Sequence, residues 1–305
     1  MLKFLFIFLA VLLQSSQTES ERLRELMKDV PDLSLERVEV KAEGPLTFVG
    51  VSAVTSDGKG NLYVLHRPAT GDPVVVLDRK GKFIRSWGAG MYMMPHGIRI
   101  DPAGNVWTID AHTSMVYKFS PLGKRLLTID VGDVPDPMQE FCGATDIAFG
   151  AKRHLFVSDG YCNARIIEYD GRGRKVRQWG TKGSGPGEFD KVHSIAIGPD
   201  RNIYVADREN GRVQRFTQQG KFLGQWTYGG QVYAVAFSPT GELFASIHPK
   251  GLSLDEQFNV VKIDVASGRL LGKFPVRAHE IAFASDGTLL PASRNDQIVA
   301  LRDRR

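Results

Sequence analysis

"SIAIGPDRNIYVADRENGRVQRFTQQGKFLGQW", Ser194 to Trp226, is the stretch on which the fold turns. It reads as a short apolar run, a tight turn, a second run, a polar loop, a third run, a Gly-Lys turn and a fourth run. Alternating apolar residues with turn signals at such close spacing mark a four-stranded antiparallel meander. The unit recurs from Ala53, Gly97 and Asp146, usually with Asp-x-x-Gly-Asn or a close variant at its first turn. A looser copy with a longer loop after its second strand starts at Ala234, and a sixth copy from Glu280 stops after three strands.

A period of about 40 to 45 residues with four strands per copy is the spacing of propeller blades. "LERVEVKA", Leu35 to Ala42, is strand-like and precedes the first copy. Paired with the incomplete sixth blade, it would close the ring and remove an open edge. The expectation is an all-β, six-bladed propeller over residues 35–305, closed by its N-terminal strand.

Bulk properties agree with this reading. The 305 residues are 42% apolar and include 32 glycines, enough for a large core in a turn-rich fold. Net charge is +5, yet the basic residues are dispersed, so no nucleic-acid partner is expected. Lys3 followed by the apolar run Phe4 to Leu13 is too short to span a bilayer. Residues 1–20 therefore read as a secretion signal, and the mature protein as secreted or periplasmic rather than integral to a membrane. Residues 21–34 read as a charged leader, helical or disordered. In an exported chain the two cysteines, Cys142 and Cys162, read as a disulfide. A closed ring needs no partner for stability, so a monomer is expected.

Aligning the copies on their first strands lines up "HGIRI", "HSIAI" and "HEIAF". His96, His193 and His279 share one position in blades two, four and six, where the other blades carry Ser52, Thr145 and Tyr233. First strands line the central channel, so three imidazoles from alternate blades converge on the axis. Three histidines with an open position suit a catalytic zinc. His66, His112, His154 and His248 fall out of register and read as loop or surface residues. Loops after the second strands share the histidines' end of the ring and carry Arg67, Tyr161 and Arg208, with both cysteines beside them. Asp110, Asp159 and Asp207 read as acceptors for backbone N–H groups at loop starts. The glycine-rich Gly183–Phe189 reads as a turn, since no helix follows it.

The copies match the NHL-repeat pattern. "SDGYCNARI", "VADRENGRVQ", "MPHGI", "FCGATDIAF" and "KVHSIAI" closely resemble the peptidyl-α-hydroxyglycine α-amidating lyases over roughly residues 45 to 300. The resemblance implies a lyase that splits a peptidyl- or N-acyl-α-hydroxyglycine into an amide and glyoxylate. It implies zinc on His96, His193 and His279, Tyr161 and Arg67 as catalytic groups, and Arg208 in the substrate pocket. It also implies the Cys142–Cys162 pairing, and a structural calcium on the main-chain carbonyls of Val54 and Ile98 with the carboxylate of Glu280. A separate copper monooxygenase would supply the substrate.

Two departures stand beside the third histidine. Where the family carries Met-Pro-His-Asp, this chain has "RAHE", which puts Arg277 in a substrate-facing position and Glu280 in place of aspartate. The competing readings are a metal-dependent propeller lyase or hydrolase with another substrate, and an exported binding module without catalysis.

Overall fold

A computed structural model describes residues 19–304 except 45, 135, 137 and 252–257. The expected secretion signal lies outside the described residues but for its last two positions. Six four-stranded antiparallel sheets follow one another around a ring. Their innermost strands are Ala53–Ser56, Pro95–Ile100, Ala144–Phe149, Val192–Ile197, Gln231–Phe237 and Glu280–Phe283.

The propeller expected from the repeats is the fold observed. Leu35–Val40 pairs antiparallel with Ile298–Asp303, with Val38 opposite Ala300, and so supplies the outer strand of the sixth blade. Six apolar clusters fill the six blade–blade interfaces, the last joining Val54 and Val64 of blade one to Leu290 and Ala300 of blade six. That sixth interface makes the ring continuous. Middle strands such as Val74–Leu77 and Ile203–Asp207 are buried throughout, because both faces pack on neighbouring blades. Outer strands alternate, as in Phe222–Thr227, because one face meets water.

The aspartate turns explain why the strands reverse where they do. Asp101 Oδ1 accepts the N–H groups of Ala103 and Asn105, and Asp57 Oδ1 those of Lys59 and Asn61. Each side chain caps a turn that the backbone leaves unpaired. Gly104, at φ +83°, supplies the left-handed residue that closes such a turn.

The leader is ordered as a helix from Glu19 to Lys28. Leu23 and Met27, four residues apart and hence on one face, are buried against blades four and five. Among the described residues no helix is long and apolar enough to cross a membrane.

Candidate metal centre and its arginine-lined mouth

The backbone aims the three histidines. In blades two and four the ladder between the first and second strands slips by one residue at the histidine, between Pro95 and Gly97 and between Val192 and Ser194. The same irregularity falls at Thr145 and Tyr233. A bulge of this kind turns one side chain out of the pleat, here toward the axis. The blade-six histidine sits just before its strand, its N–H donating to the Ala292 carbonyl.

All three imidazoles are buried, and their ligating atoms lie within 4.8 Å of one another. His96 Nδ1 donates to the Thr145 carbonyl at 2.7 Å, and His193 Nδ1 to the Tyr233 carbonyl at 2.6 Å. The outer acceptors therefore come from the same repeat position of the intervening blades. Because a carbonyl only accepts, both rings carry hydrogen on Nδ1 and present a bare Nε2 to the axis. His193 Nε2 and His279 Nε2 are 3.1 Å apart. Ligand atoms about 2.05 Å from a tetrahedral ion stand roughly 3.3 Å apart, so the donor set suits a metal ion. Among the described residues His279 Nδ1 has no hydrogen-bond partner.

Burial, reinforced by neighbouring imidazole and arginine charges, holds all three rings well below the ordinary histidine range. Folded rings then bind fewer protons than unfolded ones. Metal-free protein is thus most stable above the unfolded pKa of about 6.5 and loses stability as pH falls from there toward the folded values. Each ring contributes a slope of up to about 1.4 kcal/mol per pH unit. The urea midpoint of metal-free protein is expected to be clearly lower at pH 5.5 than at pH 7.5; equal midpoints would refute neutral rings.

Tyr161 Oη lies 2.8 Å from His96 Nε2 and 3.2 Å from His193 Nε2. Its ring packs on Phe141 and is flanked by the Cys142–Cys162 disulfide, whose Cα atoms are 4.7 Å apart. The expected pairing is therefore present. Closing a loop of 20 residues, it contributes about 3 kcal/mol in the chain-entropy model. A Cys142→Ser, Cys162→Ser double variant is expected to lose about that much in urea unfolding.

Three arginines surround the tyrosine. Arg67 donates from Nε to the Pro95 carbonyl and lies over the Phe141 ring. Arg208 lies over Tyr233 and donates to its hydroxyl at 2.8 Å. The third, Arg294, is not among the sequence-derived candidates. Its Nη2 is 2.6 Å from His279 Nε2 and 3.3 Å from Tyr161 Oη, and its guanidinium shares the Phe141 ring with Arg67. Arg294 has φ +58°, an uncommon conformation for a residue with a Cβ.

A repeat signal for Arg294 was present. Ala53 pairs with Leu65, Ser194 with Ala206 and Glu280 with Ala292; Arg67, Arg208 and Arg294 each follow two residues later. Among the described residues neither Arg67 nor Arg294 has an ion-pair partner, and Arg67 Nη2 and Arg294 Nε are buried without a hydrogen bond. Burial and the charge of Arg294 pull Arg67 down to about 10. Two crowded guanidiniums without carboxylate partners have the chemistry that suits an anion. Arg294 borders a cavity of about 450 Å³ that Phe141, Tyr161, Lys191 and Arg208 also line. Arg67 is not in that lining but lies over its Phe141 ring, and Arg277, half-buried before blade six, is not in the lining either.

Several expectations change. Burial raises the Tyr161 phenol pKa, outweighing the opposing charges of Arg294, Arg208 and Arg67. His66 and His248 are buried rather than superficial. Asp110 accepts four backbone N–H groups as expected, from Met93, Met94, His112 and Thr113. Asp159 instead holds the side chains of Asn163 and Arg165, and Asp207 combines one backbone N–H with Asn210, Arg212 and Gln214. The Gly183–Phe189 turn is held by Arg212, which donates to the carbonyls of Ser184, Gly185 and Glu188. Of the oxygens expected to hold calcium, the Ile98 carbonyl and the Glu280 carboxylate both accept from Arg99.

A family profile described as a 6-bladed beta-propeller matches residues 144–293. The chain is 33% identical over 281 residues to the peptidyl-glycine alpha-amidating monooxygenase of Mus musculus, covering 78% of this chain and 29% of the mouse protein. It is 32% identical over 231 residues to a probable peptidyl-alpha-hydroxyglycine alpha-amidating lyase of Caenorhabditis elegans, covering 71% of this chain and 65% of that protein. The chain thus spans under a third of the mouse relative's length. Among solved structures, a streptogramin B lyase superposes with a TM-score of 0.62 over 88% of this chain and 98% of its own; at 13% identity the likeness is one of fold.

Proposed function

The chain belongs to the peptidyl-α-hydroxyglycine α-amidating lyase family, and on that premise we propose that it cleaves the C–N bond of a peptidyl- or N-acyl-α-hydroxyglycine, releasing an amide and glyoxylate. The observation that carries the reading is the clustering of three buried imidazoles around one phenol, with arginines that lack ion-pair partners beside them.

The substrate carries a hydroxyl, a carboxylate and the scissile nitrogen on one carbon. Arg67 and Arg294, whose free N–H groups have no protein acceptor, bind the carboxylate, and Arg208 completes the positive rim. This fixes the hydroxyl beside Tyr161 Oη. His96, His193 and His279 would hold a zinc ion, which would supply Lewis-acid polarisation of the hydroxyl oxygen and further positive charge beside Tyr161. Tyr161 takes the hydroxyl proton as the C–O bond becomes a carbonyl and the C–N bond breaks. The bonding pair leaves with the amide nitrogen, which takes up the proton that Tyr161 received, so the products balance the substrate and the tyrosine returns to its starting state. Phe141 and the disulfide keep the phenol in place through this transfer.

The short apolar run after Lys3 and the Cys142–Cys162 bridge support an exported enzyme. Its substrate would come from a separate copper-dependent hydroxylation of C-terminal glycine. Purified protein incubated with an N-acyl-α-hydroxyglycine is expected to release glyoxylate, to stop with a chelator and to resume with zinc. Bound zinc without glyoxylate would favour another substrate, and absence of bound metal would favour a non-catalytic module.

A further inference from the structure

We propose that the guanidinium of Arg99 is the resident cation of the channel beneath the histidines, standing where a calcium ion is expected and making the fold independent of calcium. Arg99 lies three residues after His96. The corresponding residues of the other blades are Thr55, Ala148, Ala196, Ala236 and Ala282, and all six positions line the channel end opposite the arginine-rich mouth. Five small side chains leave axial space, and one long cation fills it.

The ligands of that cation are in place. Arg99 Nη2 donates to Asp146 Oδ2 and to Glu280 Oε2, both at 2.8 Å, and Nη1 reaches the Ile98 carbonyl at 3.2 Å. Both carboxylates are buried, and they come from blades three and six. Asp146 also accepts from the Ser194 hydroxyl and the Ile147 N–H, so four blades meet at this one network. A calcium ion needs six to eight oxygens at about 2.3–2.6 Å. Here two of the expected oxygens already face a guanidinium, which would repel a second cation at the same place. Arg99 thus supplies positive charge covalently, where an exchangeable ion would have to be captured. Glu280, longer than the aspartate of the family pattern, reaches that side chain.

The experiment reads calcium content and melting temperature, with no substrate present, so it is separate from the proposed activity. Wild-type protein passed through calcium-free gel filtration is expected to hold well under one calcium per chain and to keep its Tm when millimolar calcium chloride is added. Arg99→Ala leaves two buried carboxylates without their cation. It is expected to melt roughly 10 °C lower in calcium-free buffer and to recover with calcium, but not with sodium at matched ionic strength. Stoichiometric calcium in the wild type, a wild-type Tm raised by calcium, or an Arg99→Ala protein as stable as wild type without calcium would each overturn the proposal. If Arg99→Ala does not fold, the wild-type titration decides alone.

Discussion

His193→Ala protein is expected to retain less than about a tenth of the wild-type metal content and to release no measurable glyoxylate. The size of the effect follows from the geometry. His193 Nε2 stands 3.1 Å from the ligating nitrogen of His279, and its ring is locked by the Tyr233 carbonyl. Outer-shell changes alone typically weaken metal sites by about 10- to 100-fold, and here a direct ligand of three is removed. His154→Ala is the matched control. His154 sits on the turn at the opposite end of blade three and pairs with Glu168 at 2.6 Å. That variant is expected to keep both its metal and its activity. Elemental analysis of the two proteins beside wild type decides the matter, and metal retained by His193→Ala would remove the imidazole triad from the mechanism.

The triad was legible because it repeats: three histidines at one position of alternate blades can be seen without coordinates. The blades and their closing strand were legible for the same reason, since turn chemistry and alternation recur six times. What a single strand register cannot show is where the ladder slips, and the bulges at His96 and His193 are what turn those rings inward. The acceptors of the two Nδ1–H groups were hidden because they are backbone carbonyls, which every residue carries. Arg294 escaped for another reason. Its loop, Ala-Ser-Arg, has no family motif, and its equivalence to Arg67 and Arg208 depends on strand pairing. Arg99 is a lone charge at a repeat position otherwise held by one threonine and four alanines, but its meaning requires the carboxylates of two other blades.

The phenol offers the sharpest separation of chemistry from architecture. Tyr161→Phe deletes one oxygen and keeps the ring that packs against Phe141 and stands edge-on to His96. The three imidazoles keep their backbone anchors, so metal content is expected to match wild type. Arg67 and Arg294 keep their unpaired N–H groups, so affinity for a substrate-like carboxylate such as an N-acylglycine is expected to change by less than about threefold, well below the cost of a lost charge-assisted contact. Turnover is the quantity that falls, by about 10²- to 10⁴-fold, the usual contribution of a positioned proton acceptor. Because burial raises the Tyr161 pKa against the pull of three arginines, wild-type kcat is expected to rise with pH as the phenol ionises, and the variant's residual rate should lack that limb. Arg294→Ala provides the complementary pattern: KM rises more than kcat falls, while the limb persists, because the residue grips the carboxylate and holds no transferring proton. Equal loss of kcat in both variants, or an undiminished Tyr161→Phe enzyme, would mean that the proton leaves by another route.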